Sequence, residues 1–151
     1  MRGKEVDLGL LVLRIAVGGS LIYYGCQKMF GLFAGHGFPQ TIQMYAKMGF
    51  PPLFGTLSIF AEFFGSLGLI TGTLTRVAAL GVSVNMAVAT WVVLKKPDII
   101  ANIFKYVLMT DAQTLNYPLL LCLGALAILL TGAGRFSIDA KLFGKRAPKK
   151  G

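Results

Sequence analysis

Acidic side chains are scarce in this chain: six of its 151 residues are Asp or Glu, against fifteen that are Lys or Arg. Charged residues make up 14% of the sequence and hydrophobic residues 55%, whereas about a quarter of the residues in soluble domains are charged. A globule of this size with so few charges could not cover its surface with polar groups. The composition argues against a soluble protein and predicts a single membrane domain over residues 1–151.

Histidine and cysteine are equally rare. His36 is the only histidine of the sequence, and Cys26 and Cys122 are its only cysteines, without a CxxC pair. A metal site or an intramembrane haem would need more ligands than these, and the sequence has no phosphate-binding glycine loop and no HExxH, GxSxG or CxxCH motif. We therefore expect no metal, haem or nucleotide cofactor. The cysteines are interpreted as two small buried hydrophobes, although a disulfide between them is geometrically conceivable.

Long apolar runs are what the chain has instead. Four of them approach or reach the length of about 17–20 residues that crosses a bilayer, and they cover residues 8–24, 53–70, 77–94 and 115–132. Apolar residues occupy every face of these runs, without the alternation of a barrel strand. The predicted fold class is an all-α integral membrane protein with a bundle of four transmembrane helices.

The connections after the first and third spans each contain a pattern typical of a short amphipathic helix. In the first connection, Pro39 can open a helix that Gly49 closes, and Ile42 and Tyr45 share one side of it. In the second, apolar residues recur at helical spacing between positions 97 and 108. Both connections lie at the same end of an up-down-up-down bundle, so we expect two interfacial helices on the non-cytosolic side.

Basic residues are distributed unequally between the two ends of the predicted bundle. With both termini at the cytosolic end, nine Lys or Arg lie there and five lie at the other end, in agreement with the positive-inside rule. The basic tail, residues 141–151, is then placed to meet anionic lipid headgroups. The net charge of +9 is attributed to the membrane rather than to nucleic acid. The first run is interpreted as a retained helix, because no small-residue cleavage site follows it.

Three polar residues interrupt the apolar runs at a similar depth. At about 1.5 Å per residue, Arg14 lies about 9 Å inside its span, and Glu62 and Asn85 lie about 12 Å inside theirs, all counted from the cytosolic edge. An ionisable residue within a span is a functional-site candidate by default. Three interpretations stay open. Glu62 exchanges protons in a ligand or proton site; Arg14 and Glu62 form an ion pair, completed by Asn85, that joins three helices; or Arg14 snorkels to the cytosolic surface.

The non-cytosolic end has candidates of its own, namely Tyr24, Gln27, Lys28, His36, Asn116 and Tyr117. His36 is either a solvated loop residue or a functional group. Lys28 is either an interfacial anchor or a ligand contact. The predicted ligand-binding residues of the whole chain are Arg14, Tyr24, Lys28, Glu62, Asn85, Asn116 and Tyr117.

A series of short motifs runs in order along residues 8–142: LLVLR at 10–14, YGCQKMFG at 24–31, GFPP at 49–52, AE at 61–62, LTR at 74–76, NYPLL at 116–120 and GRFSID at 134–139. Their order and spacing resemble those of the DoxX family of small bacterial and archaeal membrane proteins. The resemblance implies a four-helix protein of the cytoplasmic membrane that is tied to redox metabolism. The name-giving relatives are subunits of a thiosulfate:quinone oxidoreductase, but this sequence shows no cysteine resembling a thiosulfate-handling one.

The resemblance carries five motif positions over to this chain: Arg14, Lys28, Glu62, Asn116 and Tyr117. The function expected is that of a membrane subunit that binds a quinone or a similar small redox molecule for a partner oxidoreductase, rather than that of a self-sufficient enzyme. Glu62 would exchange the proton, and Arg14 would balance its charge. The alternatives are a scaffold that recruits redox or detoxification enzymes, and a small-molecule or proton transporter, which would need a homo-oligomer or a partner.

Overall fold

A computed structural model describes residues 3–95 and 112–143 of the chain. These residues form helices joined by turns, without a strand in either range, which confirms the predicted all-α class. The predicted second interfacial helix, at positions 97–108, lies outside the described residues, as does most of the basic tail. The helices are α1 (Lys4–Phe30), α2 (Gly37–Lys47), α3 (Pro52–Thr71), α4 (Thr75–Leu94), α5 (Ala112–Thr131) and α6 (Ile138–Phe143).

Three of these helices, α1, α3 and α4, are long and apolar enough to cross a membrane, by length and composition. They coincide with the first three predicted spans, and α1 continues beyond both ends of the predicted run at 8–24. Tyr117–Thr131, within α5, forms a shorter apolar helix among the described residues. The fourth span and the side of the membrane on which the termini lie stay predictions.

Helix ends in the first half of the chain follow from glycine and proline. Gly31 ends α1 and Gly72 ends α3, both in the left-handed conformation that glycine adopts without strain. Pro52 occupies the first turn of α3, where its missing N–H costs nothing. Only the turn from Gly72 to Leu74 separates α3 from α4, so these helices form an antiparallel hairpin, in agreement with the predicted up-down-up-down order.

Small residues allow the long helices to pack closely, as is usual for helices in lipid. A side chain at Gly18 of α1 would lie 2.9 Å from the backbone oxygen of Ser66 in α3, and one at Gly65 of α3 would lie 2.7 Å from Val82 of α4. The core of the bundle takes residues from four helices, among them Val17, Leu21, Leu69, Val82 and Ile128. Large apolar side chains also remain exposed along the outer helix faces, where lipid would cover them.

The bundle has two ends, and different groups close them. We call one of them the terminal end; the start of α1, the last turn of α3 and the start of α4 lie there. The opposite end is called the α2 end. Helix α2 packs on α1 and α3 at its end: Ile42 and Tyr45 contact Gly55, and Thr41 is buried. The first predicted amphipathic helix is therefore present, although it stops at Lys47 and Gly49 lies in the following turn.

Candidate functional site

Glu62 is buried in the middle of α3, and only 4% of its surface is exposed. Its partner is Lys28, near the end of α1, whose Nζ lies 2.6 Å from Glu62 Oε1. The Lys28 side chain is 26% exposed. A carboxylate within an apolar bundle is costly unless it is paired and hydrogen-bonded. The Lys28 ammonium supplies that charge, and its partial exposure connects the pair to the surface of the bundle.

Three further side chains complete a hydrogen-bonded group around this pair. Asn85 of α4 donates from Nδ2 to Glu62 Oε1 at 3.1 Å. Lys28 Nζ also donates to the hydroxyl of Tyr45 in α2 at 3.1 Å, and that hydroxyl lies 3.4 Å from Ser58 Oγ. These five residues, which we call the Glu62 cluster, come from α1, α2, α3 and α4. The cluster therefore links every helix of the first 94 residues.

The geometry of two antiparallel helices explains why Lys28 and Glu62 meet. Gly25 of α1 lies against α3, where an added Cβ would be 2.9 Å from Phe63 Cα, so the level of Gly25 on α1 is the level of Glu62 on α3. Side chains on a helix lean toward its N-terminus. Lys28, one turn beyond Gly25, therefore leans back toward Glu62. Glu62 leans toward the start of α3, which is the α2 end, and so toward Lys28.

Arg14 does not join Glu62, which corrects one sequence-based interpretation. Arg14 lies eleven residues before Gly25, or about 16 Å along α1. Its side chain leans toward the terminal end, away from Glu62. There it is fully buried and donates through Nη2 to the backbone oxygen of Phe136. Because it has no exposed surface, Arg14 does not snorkel either. The polar layer predicted from Arg14, Glu62 and Asn85 therefore contains Glu62 and Asn85 without Arg14.

Arg14 belongs to a second polar group that fastens the segment after α5 to the terminal end. Asp139 accepts hydrogen bonds from the backbone N–H groups of Leu74, at 2.7 Å, and Thr75, at 2.8 Å, and so caps the start of α4. Partial burial opposes ionisation of Asp139, but these hydrogen bonds and the nearby Arg14 charge outweigh it and lower the pKa of the carboxyl group. Asp7 accepts from the backbone N–H of Arg135 at 3.2 Å.

The predicted aromatic candidates form a pair beside the Glu62 cluster rather than within it. Tyr24 and Tyr117 have ring centroids 5.4 Å apart. The Tyr117 hydroxyl donates to the backbone oxygen of Ser20 at 3.0 Å, so it joins α5 to α1. The side chain of Asn116 lies outside the described residues. Among the predicted residues, the structure therefore brings together Lys28, Glu62 and Asn85, and it places Tyr24 and Tyr117 in a separate contact.

The remaining candidates have local roles. Gln27 donates to the backbone oxygen of Phe33 at 3.2 Å and holds the turn before α2, and His36 is exposed at the start of α2. Cys26 and Cys122 are free thiols, not a disulfide, and both are partly buried. Within the described ranges, no group of three or more His, Cys, Asp or Glu side chains could hold a metal ion.

Two members of the cluster, Tyr45 and Ser58, were not predicted as site residues. Ser58 was recognisable as part of one stripe with Glu62, four residues away on α3. Tyr45 was placed on the apolar side of its amphipathic helix, where a phenol contributes both a ring and a hydroxyl. Its ring packs on Phe50, with centroids 6.4 Å apart, while its hydroxyl reaches Lys28. Only the folded chain shows that this side of α2 covers a charged pair.

Two surface depressions lie elsewhere on the bundle. One, of about 510 Å³, is at the terminal end between the start of α4 and the end of α5, and Arg76 and Asp139 are among its lining residues. The other, of about 450 Å³, is apolar and runs from Phe54 to Trp91. Neither is lined by a residue of the Glu62 cluster. Within the cluster, Glu62 is buried, whereas Lys28, Tyr45, Ser58 and Asn85 are each partly exposed.

A protein-family model matches the first part of this chain. The family model described as DoxX matches residues 9–95 of the chain. This range is more than half of the 151 residues and contains every member of the Glu62 cluster. Searches of curated proteins and of solved structures find no match.

Proposed function

The chain belongs to the DoxX family, and we propose that it is a membrane subunit that binds a quinone, or a similar small redox molecule, for a partner oxidoreductase. The observation that carries the proposal is the Lys28–Glu62 pair at 2.6 Å inside the bundle. Ionisable groups inside a membrane protein commonly mark ligand sites or proton pathways. Quinones themselves dissolve in the apolar phase to which the outer faces of these helices are suited.

The Glu62 cluster supports specific roles for its members. Within the described part of the chain, Lys28 donates to Glu62 and Tyr45, and the third N–H of its ammonium group would hold a quinone oxygen. Reduction of a quinone takes two electrons and two protons; the partner oxidoreductase would supply the electrons, and Glu62 would exchange protons. Lys28, rather than Arg14, would balance the charge of Glu62. Phe63, adjacent to Glu62, and Phe30, with ring centroids 5.2 Å apart, provide aromatic surface nearby.

Substitution of Glu62 tests this function. In Glu62→Gln, the side chain keeps its size but cannot exchange a proton. We expect binding of a short-chain benzoquinone, measured by calorimetry in nanodiscs, to fall about tenfold or more, as loss of a charged hydrogen-bonding group implies. Quinone-linked activity in membranes should fall as well.

Ser66→Ala is the matched control, because Ser66 is a buried hydroxyl four residues along the same helix. Among the described residues, its hydroxyl bonds only to Phe63 O, at 2.7 Å. It should leave both measurements unchanged. Full quinone binding and full activity in a folded Glu62→Gln variant would show that the proposed role is wrong.

The same proposal includes the placement of the chain. It would cross the cytoplasmic membrane of a bacterium or archaeon four times, with both termini cytosolic, as the nine-to-five distribution of basic residues supports. Single cysteines introduced at Lys4 and Gln43, in a chain whose Cys26 and Cys122 are replaced by Ala, test it. A membrane-impermeant thiol reagent should label position 43 in intact spheroplasts and position 4 only after lysis. The reverse pattern would contradict the proposed orientation.

A membrane scaffold is the second candidate, and the wide connectivity of the Glu62 cluster favours it. Its hydrogen bonds join α1, α2, α3 and α4, so the pair could serve only to hold helices together. In that case the exchanged pair, Lys28→Glu with Glu62→Lys, should restore both folding and function. A ligand site predicts folding without function, because the donor and the acceptor would have changed places.

A further inference from the structure

Among the described residues, the Lys28–Glu62 pair leaves one hydrogen-bond acceptor and one donor without a partner. Glu62 Oε2 is buried and accepts no hydrogen bond from the described residues, although Oε1 accepts two. An ionised carboxylate oxygen can only accept. Lys28 donates to Glu62 Oε1 and Tyr45 and has a third N–H. The site therefore offers a ligand one acceptor oxygen and one ammonium donor.

These two groups do not suit the two redox forms of a quinone equally. The hydroxyl of a hydroquinone can donate to Glu62 Oε2 while its oxygen accepts from Lys28. The carbonyl of a quinone can only accept, so it would satisfy Lys28 and would turn its lone pairs toward Oε2. A buried acceptor that stays without a donor is costly, and that cost would be relieved by the reduced form alone.

From this we infer that the site binds the reduced, hydroxyl-bearing form of a quinone more tightly than the oxidised form. This inference rests on the proposed function and adds which redox state the site selects. It concerns binding only, so it needs no electron donor within this chain. Tighter binding of the reduced form makes a bound quinone easier to reduce, and a tenfold preference raises its two-electron midpoint potential by about 30 mV.

Rotation of the Glu62 carboxylate would present Oε2 to a ligand. The last torsion of a glutamate side chain is broad, so the carboxylate can turn without displacing the backbone. Lys28 is the more exposed partner, with 26% of its side chain accessible against 5% for Glu62, and a lysine side chain has several rotatable bonds. A ligand hydroxyl that enters where Lys28 is exposed would meet the ammonium before the carboxylate.

Anaerobic calorimetry on the whole protein in nanodiscs tests the inference. The probes are a short-chain benzoquinone and the corresponding hydroquinone, titrated separately. We expect the hydroquinone to bind about tenfold more tightly, the factor that a single satisfied buried acceptor provides. Equal affinities, or tighter binding of the quinone, would overturn the inference and leave the proposed function standing. Binding of neither probe would overturn both.

Two variants test whether Glu62 Oε2 causes the preference for the hydroquinone. In Glu62→Gln the amide nitrogen brings a donor where Oε2 offers an acceptor, so the preference should shrink toward equality or reverse. Ser66→Ala should keep the wild-type ratio. A folded Glu62→Gln protein that retains the full preference for the hydroquinone would show that Oε2 does not cause it. If this variant does not fold, the ratio measured for the wild-type chain still decides the inference.

Discussion

Lys28 Nζ and Glu62 Oε1 lie 2.6 Å apart, although 34 residues separate them in the chain. The contact depends on the direction of two helices, because each side chain leans toward the start of its own helix and the helices run antiparallel. A basic residue on α1 that lies one turn beyond Gly25, toward the α2 end, is therefore well placed to reach Glu62. A basic residue on α1 nearer the terminal end is not. This relationship places the charged centre of the bundle beneath α2.

Loss of either partner should destabilise the protein unequally. Lys28→Met leaves the buried Glu62 without a counter-charge, and we expect the free energy of unfolding to fall by about 3 kcal/mol. Glu62→Gln leaves the charge on the partly exposed Lys28, so it should cost less, about 1–2 kcal/mol. The double variant should cost less than the sum of the two, because the second substitution removes a charge that the first left unpaired. Denaturant unfolding in mild detergent measures all three.

Strict additivity in this cycle would contradict a formed ion pair. The cycle Ser66→Ala with Glu62→Gln is the control. Ser66 bonds to Phe63 O and not to the carboxylate, so its coupling to Glu62 should lie within about 0.5 kcal/mol of zero.

Gly25 should be intolerant of substitution because it sets the distance between α1 and α3. In Gly25→Ala, the added Cβ would lie 2.9 Å from Phe63 Cα and 3.1 Å from Phe63 N, and backbone atoms cannot move aside singly. We expect a loss of about 1–3 kcal/mol in unfolding free energy, together with weaker quinone binding as Lys28 moves away from Glu62.

Gly19→Ala is the matched control on the same helix, since a Cβ there has nothing within 4 Å. It should be neutral or slightly stabilising, because alanine favours a helix. Equal effects of the two substitutions would show that close contact at Gly25 does not determine the site.

The sequence was sufficient to predict the helices but not their relative register. Continuous apolar runs predicted α1, α3 and α4, and Pro39 with Gly49 predicted α2 to within about two residues of its ends. These features are local. The depth of Arg14 was counted from the edge of its apolar run, whereas the register of α1 on α3 is determined by the contacts of Gly18 and Gly25. Such contacts join distant parts of the chain, and hydropathy does not encode them.

The candidate site was predicted in part for the same reason. Glu62 and Asn85 lie on the facing sides of a short hairpin, so their depths could be compared reliably, and they form the expected contact at 3.1 Å. Lys28 was recognised as a candidate, but its position near a helix end equally indicated a surface anchor. Tyr45 reaches the site because α2 folds back over α3, which no local pattern shows.

Asp139 should make the free energy of unfolding depend on pH. The pKa of Asp139 is lowered in the folded protein. The stability that its ionised carboxylate contributes is therefore fully present above the unfolded pKa of about 4, and it is lost as the pH falls through the lower folded pKa. At pH 7, Asp139→Ala removes the cap of α4 and should lower the free energy of unfolding by about 1–2 kcal/mol. The difference between wild type and variant, measured by denaturant unfolding in detergent, should shrink below about pH 4.

Asp139→Asn separates the charge from the hydrogen bonds. An asparagine can still cap a helix, so this variant should keep part of the stability at pH 7. It should also remove the dependence of stability on pH that Asp139 contributes. A difference between wild type and Asp139→Ala that stays constant from pH 7 to pH 3 would contradict the assigned ionisation.

Substitutions of Arg14 and of Glu62 should both lower stability, but only those of Glu62 should weaken ligand binding. Arg14→Met removes a buried donor to the Phe136 oxygen and a charge near Asp139, so we expect a loss of about 2 kcal/mol in unfolding free energy. Quinone binding should stay within about twofold of wild type, because about 16 Å along α1 separates this group from the Glu62 level. Arg14→Lys, which keeps the charge but not the planar donors, should recover part of the stability.

The free energy of unfolding and the quinone affinity are measured on one nanodisc preparation of each variant, by denaturant unfolding and by calorimetry. If folded Arg14→Met lost quinone binding to the same degree as Glu62→Gln, the two polar groups would act as one site despite their separation along α1.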